Sequence, residues 1–237
     1  MQPLLRADIL SRMLLLALFV ACDPVVEGPH ALAFDGSPDC ATVDISSAPE
    51  ASFTVEAWLR GDPDAFSDMR PIALWNEVFN LAQREDGQVI FTVGEGGDDA
   101  VGASYGFTLM DGVLHHVAGV YDAGDGSARL FVDGAFVGIS ADPAFIGAKP
   151  DDRVQFGCAK SATEGFYGLL DELRVSSVPR YADDFEVATA PFKKDDDTLL
   201  LFHLDEGTGG TAASETGGFE MVITDAGWIE FDLAETE

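Results

Sequence analysis

Carboxylates are the most abundant side chains in this 237-residue chain that could do chemistry: 42 Asp and Glu stand against 13 Lys and Arg, for a net charge of −29. Carboxylates and loop carbonyls are the oxygen ligands that Ca²⁺ prefers. A nucleic acid needs a basic face, and the sequence has no cluster of Lys and Arg, so nucleic acid is not an expected partner. The same charge opposes direct binding to an anionic lipid surface.

The spacing of the reactive residues does not predict a catalytic site. His115 and His116 form the one close histidine pair, and on a strand they would point to opposite faces, one into the core and one to the surface. Asp171 and Glu172 are also adjacent and would diverge in the same way. No Ser-His-Asp order has the turn context that nucleophilic catalysis needs. We therefore expect a protein that is not an enzyme.

Aromatic and acidic residues near loops are the candidate ligand-binding residues. Trp75, Phe79 and Tyr105 could stack on the apolar faces of a sugar. Asp98 and Asp99 lie in a glycine-rich acidic loop, the kind of segment in which recognition residues concentrate. The alternative is that Trp75 and Phe79 are core residues and that the acidic loop is only solvated.

The N-terminus is typical of an export signal. Residues 1–21 contain two arginines and a short apolar run, Met13–Val20, which is too short to span a bilayer. The run ends in Phe-Val-Ala before Cys22, which resembles a bacterial lipobox. We expect lipidation of Cys22, a tether over residues 22–30, and an exported protein held at the bacterial cell envelope by its lipid. An ordinary signal peptide cut near Ala21 is the alternative.

The remaining two cysteines, Cys40 and Cys158, are an even pair in an oxidising compartment. Their spacing does not match a zinc site. A disulfide between them and two separate buried thiols both remain open.

Short apolar runs with alternating polarity recur through the chain and end at Asp-Gly or other turn signals, as antiparallel strands joined by tight turns do. Five of them stand out: ALAFDG at Ala31, FTVEAWLR at Phe53, LHHVAGVYD at Leu114, RLFVDG at Arg129 and GLLDELRV at Gly168. In the second run Trp58 is large and apolar on the face opposite Phe53, so we expect both faces of that strand to be covered.

In this order and spacing, the five runs resemble the laminin G-like domains of the concanavalin A-like lectin and glucanase superfamily. The resemblance implies an all-β fold, a two-sheet antiparallel jelly-roll sandwich, over residues 31–237. The run TLLLFHLDEGTGG then belongs to a C-terminal part, 195–237, that completes the sandwich. The alternative is the truncated start of a second repeat.

The resemblance also bears on chemistry. Some relatives are glucanases with a strand motif similar to E-x-D-x-x-E, and the strand around Asp171 lacks it. A structural calcium in related domains uses a comparable Asp with loop carbonyls, which implies a site formed by Asp35, the Gly36 carbonyl, Asp171 and, through the turn, Asp39. The alternative is that Asp35 caps a turn and Asp171 pairs with an arginine or a backbone amide.

Together these features predict a non-catalytic module at the cell envelope that recognises a glycan or protein ligand, with a structural calcium. Two alternatives remain: a glycoside-processing enzyme with an unrecognised site, and a purely structural envelope lipoprotein.

Overall fold

The structure is a computed structural model that describes residues 29–36, 38–46, 48–49, 51–65, 69–94, 101–106, 108–141, 152–159 and 164–232. For residues 101–105 and 141 only the backbone is described. Within these ranges all regular structure is β-strand. In chain order the strands are β1 His30–Asp35, β2 Cys40–Asp44, β3 Phe53–Gly61, β4 Met69–Trp75, β5 Phe79–Arg84, β6 Gln88–Val93, β7 Val101–Gly106, β8 Leu114–Asp122, β9 Ser127–Val132, β10 Ala135–Ala141, β11 Arg153–Phe156, β12 Tyr167–Ser176, β13 Thr198–Phe202, β14 Thr211–Ala213, β15 Glu220–Thr224 and β16 Gly227–Glu230.

The strands form two antiparallel sheets that pack as a sandwich, which confirms the predicted jelly-roll class. Sheet A has the order β10-β9-β8-β3-β12-β1-β16, with β13 also paired to β12. Sheet B has the order β14-β15-β2-β11-β4-β5-β6-β7. Strands from the C-terminal part enter both sheets, because β13 and β16 pair in sheet A while β14 and β15 extend sheet B beside β2.

The core lies between the sheets and follows the alternation of the sequence. In β3, Phe53, Val55 and Leu59 point inward and are at most 1 % exposed. Burying side chains of this size contributes about 1.5–3 kcal/mol each. Thr54 and Glu56 point outward and are nevertheless fully buried. The prediction that both faces of β3 are covered is therefore confirmed.

Residues 177–197, here called the crossing segment, cover the outer face of sheet A on the way from β12 to β13. Thr54 donates its hydroxyl hydrogen to the carbonyl of Val178, and the backbone amide of Phe185 donates to the carbonyl of Gly134 at 2.9 Å. A Cβ on Gly134 would collide with the Phe185 carbonyl. Glycine in the predicted Asp-Gly turn is thus required both for its φ of 76° and for the passage of the crossing segment.

Cys40 and Cys158 form a disulfide, with Cα atoms 5.1 Å apart. It joins the start of β2 to the residue that follows β11 by two positions, and these strands are neighbours in sheet B. The open question from the sequence is therefore answered in favour of the disulfide. Among the described residues there is no helix long and apolar enough to cross a membrane.

Candidate ligand-binding site

The aromatic residues predicted to form a sugar platform lie in the core. Trp75 is 0 % exposed and Phe79 is 1 % exposed, and their rings meet edge to face at 6.2 Å. Their prediction as ligand-binding residues is wrong, because β4 and β5 point both side chains toward sheet A. The backbone of Tyr105 pairs with Val89 in sheet B, but its side chain is outside the described part.

The other predicted positions in the acidic loop, Asp98 and Asp99, lie outside the described residues, as does Cys22. Their predicted roles in ligand binding and lipidation remain predictions.

The predicted calcium ligands are not brought together. Asp35 pairs with Tyr167 in the β1–β12 register, so Asp171 lies four residues further along β12, about 13 Å away at the rise of a strand. Asp39 instead closes a local turn: its carboxylate accepts the Asp35 amide at 2.7 Å, and its own amide donates to the carbonyl of Gly36 at 2.8 Å. The set fails because an antiparallel register separates residues that occupy opposite ends of paired strands.

Elsewhere in the described ranges, no group of three or more His, Cys, Asp and Glu side chains could hold a metal ion. Calcium binding itself therefore stays a prediction without assigned ligands.

Asp171 and Glu172 occupy the same pocket, contrary to the prediction that they diverge. The register between β12 and β3 shifts from Asp171↔Trp58 to Arg174↔Glu56, so β12 carries one extra residue. Glu172 has a φ of 48° at this β-bulge, which re-aims its side chain. Alternation fails here because a bulge breaks the two-residue period.

The bulge pocket, as we call it, has a volume of about 80 Å³ and is acidic. Its carboxylates are those of Asp171, Glu172, Asp205 and Asp232. Glu172 is held by His203 Nδ1 at 2.7 Å and by the amide of Phe192 at 2.7 Å.

Asp171 has no direct ion pair within the described ranges, although the charge of His203 acts to lower its pKa. Its Oδ1 accepts the amide of Glu172 at 2.9 Å. Burial and then the charge of Glu172 raise the pKa of Asp171 to about 8.

The other buried carboxylate on this face, Glu56, is fully paired. Its Oε1 accepts a hydrogen bond from Nε of Arg174 at 2.8 Å and lies 2.8 Å from Nη2 of the same ion-paired guanidinium. Its Oε2 contacts His116 Nε2 at 3.1 Å and accepts from the hydroxyl of Tyr181 at 2.7 Å. Burial alone would raise the pKa of Glu56, but the hydrogen bond with His116 and the charge of Arg174 lower it. Glu56 is therefore an ionised carboxylate with several donors around it.

His115 and His116 are both buried, at 5 % and 0 % exposed, so the prediction that one of them lies at the surface is wrong. His115 is the second residue of β8, and its Nδ1 contacts the carboxylate of Asp133 at 2.8 Å. His116 points to the outer face of sheet A, but the crossing segment covers it: its ring meets Phe185 at 5.7 Å and Phe192 at 5.9 Å.

A pocket of about 400 Å³ lies between this polar group and the crossing segment. We call it the outer-face pocket; its lining includes His116, Arg174, Tyr181, Phe185, Phe192 and Lys193. Tyr181 and Phe185 stack at 3.6 Å and nearly parallel, and the Arg174 guanidinium lies over the Phe192 ring at 4.2 Å. Apolar aromatic walls with a few fixed polar groups are typical of small-molecule sites of this size.

The floor of the outer-face pocket carries one buried ring nitrogen with no partner in the described part of the chain, Nδ1 of His116. Its other nitrogen, Nε2, is taken by Glu56. This site was not predicted from the sequence, because its floor comes from β8 and β12 while its walls come from a segment without regular structure. One feature of the sequence could have indicated it. Glu56 shares a strand face with Trp58, and a carboxylate on a face that is expected to be covered needs buried polar partners.

Comparisons with known proteins agree with this architecture. A laminin G family model, described as belonging to the concanavalin A-like lectin/glucanases superfamily, matches residues 34–184. No curated protein sequence matches the chain significantly.

Among solved structures, a Bacteroides ovatus protein assigned by name to carbohydrate binding has a TM-score of 0.67 and 21% identity, over 87% of this chain and 61% of that chain. This chain therefore spans less than two thirds of that relative. A heptameric SAP-like pentraxin from Limulus polyphemus has a TM-score of 0.51 and 17% identity, over 65% of this chain and 78% of that one.

The CBM40 domain of a Ruminococcus gnavus IT-sialidase, bound to α2,3-sialyllactose, has a TM-score of 0.52 and 15% identity, over 65% of this chain and 92% of that chain. At these identities the three likenesses concern the fold alone.

Proposed function

This chain belongs to the concanavalin A-like lectin/glucanase superfamily, and from that premise we propose that it is a non-catalytic module that recognises a glycan. The observation that carries the proposal is the outer-face pocket, with about 400 Å³ of space between aromatic walls and a polar floor. Aromatic rings offer apolar faces to a sugar ring, and fixed polar groups beneath them set its orientation. A fold supports many functions, so the pocket and not the fold is the argument.

The state of the polar groups favours binding over hydrolysis. Glycoside hydrolysis generally needs two carboxyl groups, one of which must be free to give a proton. The buried carboxylate behind the lining of the outer-face pocket is Glu56, which is ionised and held by the lining residues Arg174, His116 and Tyr181. It therefore has the features of a structural anion rather than those of an acid catalyst.

One observation favours a second candidate, a glycoside-processing enzyme. Asp171 is protonated near neutral pH and adjoins Glu172 in one pocket, which is a combination that acid catalysis can use. The small volume of about 80 Å³ and the fixed contacts of Glu172 with His203 and Phe192 argue against a sugar ring entering there. The non-catalytic proposal is therefore preferred.

For the location, the proposal includes export and anchoring to the bacterial cell envelope through a lipid on Cys22. The Cys40–Cys158 disulfide supports an oxidising compartment. The intact mass of protein extracted from membranes tests the anchor: acylation at Cys22 is expected, and an unmodified start in the soluble fraction would contradict it.

A glycan array probed with the mature protein, in calcium and in chelator, tests the function. We expect binding to a group of related glycans with weak single-site affinity, about micromolar to millimolar. Calcium binding remains part of the proposal, and chelator should then lower the melting temperature. Hydrolysis of a polysaccharide panel that is lost in Asp171→Asn would replace the proposal by the enzyme alternative.

A further inference from the structure

Resting on the proposed function, we infer that the outer-face pocket takes a neutral saccharide residue and discriminates against both anionic and cationic glycans. Two observations carry it: the charge balance of the pocket, and a ring nitrogen of His116 that has no partner among the residues the structure describes.

The ionised groups of the pocket cancel. Arg174 directs its Nε and Nη2 at Glu56, so its charge is neutralised by a carboxylate 2.8 Å away. At the mouth, Glu186 and Lys193 are both exposed and contribute one charge of each sign. These four charges sum to zero, so the pocket and its surroundings offer no net charge to repay the lost hydration of a charged ligand.

An anionic sugar is further disfavoured by the rest of the molecule, because the chain has a net charge of −29. A cationic ligand would be attracted by that charge, and aromatic walls can hold cations over their ring faces. Here, however, the guanidinium of Arg174 already lies over Phe192 at 4.2 Å and occupies that ring face. A neutral ligand avoids both penalties.

His116 indicates what a neutral ligand must provide. Because Nε2 is directed at the ionised carboxylate of Glu56, the hydrogen of a neutral ring belongs on Nε2, and Nδ1 is then an acceptor. No described group donates to that nitrogen. His116 is fully buried with the rings of Trp58, Phe185 and Phe192 against it, so a neighbouring side chain must move before a ligand reaches Nδ1. A sugar hydroxyl is a neutral donor that satisfies this acceptor.

The experiment fills the pocket without removing any of its polar groups. Ala188 and Ala190 are exposed and line the pocket, so Ala188→Trp and Ala190→Trp would occupy its space. Ala182 is exposed in the same segment but does not line the pocket, which makes Ala182→Trp the matched control. Equal melting temperatures for all four proteins establish that each is folded.

The ligand set is an array on which each neutral glycan stands beside its sialylated or sulfated and its amine-bearing counterparts. We expect the neutral members to give the strongest signals. For the best of them, titration calorimetry should show affinity weakened roughly tenfold or more by Ala188→Trp or Ala190→Trp and unchanged by Ala182→Trp.

The outcomes separate the two proposals. Preference for charged glycans, or neutral binding that both pocket-filling variants leave intact, overturns this inference while glycan recognition stands. Binding to no glycan on the array overturns both.

Discussion

Two pockets flank the same stretch of the crossing segment and share Pro191 in their walls, and the buried carboxyl groups associated with them are held in opposite ways. Behind the lining of the outer-face pocket, Glu56 has Arg174, His116 and Tyr181 around it, and its pKa is lowered. In the bulge pocket Asp171 has a backbone amide and a neighbouring carboxylate, and its pKa is raised to about 8. Both residues are at most 5 % exposed, so burial alone does not decide whether a carboxyl group is charged.

The difference lies in the partners that the sheet brings to each residue. The pairing of β3 with β8 and β12 sets Glu56 opposite Ala118 and Arg174, with His116 two residues before Ala118 on the same face. At the bulge, the same pairing sets Asp171 beside Glu172, so two acidic groups share a confined space. Nearby opposite charge lowers a carboxyl pKa, whereas desolvation with like charge raises it.

Removing the charge of Glu56 should have the largest effect. In Glu56→Gln the buried guanidinium of Arg174 loses its counter-charge, and we expect a loss of about 3–5 kcal/mol in the free energy of unfolding. Denaturant unfolding monitored by fluorescence measures it. Glu186→Gln, which makes the same change at an exposed site, should stay within about 0.5 kcal/mol of the parent. Equal free energies of unfolding for the two variants would mean that the ion pair of Glu56 with Arg174 does not stabilise the fold.

Neutralising Asp171 should instead stabilise the protein as the pH rises. Its pKa is about 8 in the folded state and about 3.9 when unfolded, so between these values the folded state binds more protons. The free energy of unfolding then falls as pH rises, by at most about 1.4 kcal/mol per pH unit. Asp171→Asn cannot titrate and should match the parent near pH 4 but exceed it progressively up to pH 8.

Unfolding curves at several pH values between 4 and 8 check this. The pKa of His203 is also raised, from 6.5 to about 9, by its hydrogen bond with Glu172. Its contribution to the free energy of unfolding is therefore lost as the pH rises through this range in both proteins, so the difference between variant and parent is the informative quantity. Asp183→Asn, a neutralised aspartate at an exposed position, provides the control. A constant difference across the range would show that Asp171 is ionised in the fold.

Tyr181→Phe should have the smallest effect. It removes the hydroxyl that donates to Glu56 at 2.7 Å but keeps the ring stacked on Phe185, and the two donors on Arg174 still hold the carboxylate. We expect a loss of about 1 kcal/mol in unfolding free energy. Thermal unfolding of Tyr181→Phe beside Glu56→Gln measures the two contributions; equal losses would make the hydroxyl, not the ion pair, the main support of Glu56.

Much of the fold follows from local patterns in the sequence. Alternation in FTVEAWLR predicted one inward face, formed by Phe53, Val55 and Leu59, because side chains on a strand alternate between its two faces. The large apolar Trp58 on the other face predicted that this face is covered as well. The Asp133-Gly134 turn was predicted by its glycine, which does adopt a positive φ. The resemblance carried by five such runs then led to the correct superfamily.

The site could not be predicted in the same way. Trp75 and Phe79 were predicted to form a ligand-binding platform because they lie near loops. Closeness to a loop along the chain does not determine whether a side chain points into the core or to solvent, and both point into the core. Asp35 and Asp171 were expected together, yet the register of β1 against β12 separates them. Asp171 and Glu172 were expected apart, yet one inserted residue turns both toward a single pocket.

The sequence by itself determined the strands, their turns and the apolar face of each strand, since these depend on neighbours one to four residues away. The tertiary structure alone decided where charge is paired and where a ligand can enter. Glu56, His116 and Arg174 are 60 and 58 residues apart in sequence and meet only through strand pairing, and the pocket exists only because the crossing segment returns over them. Contacts of this kind depend on register, on a bulge and on the path of an irregular segment, and no local period in the sequence encodes any of the three.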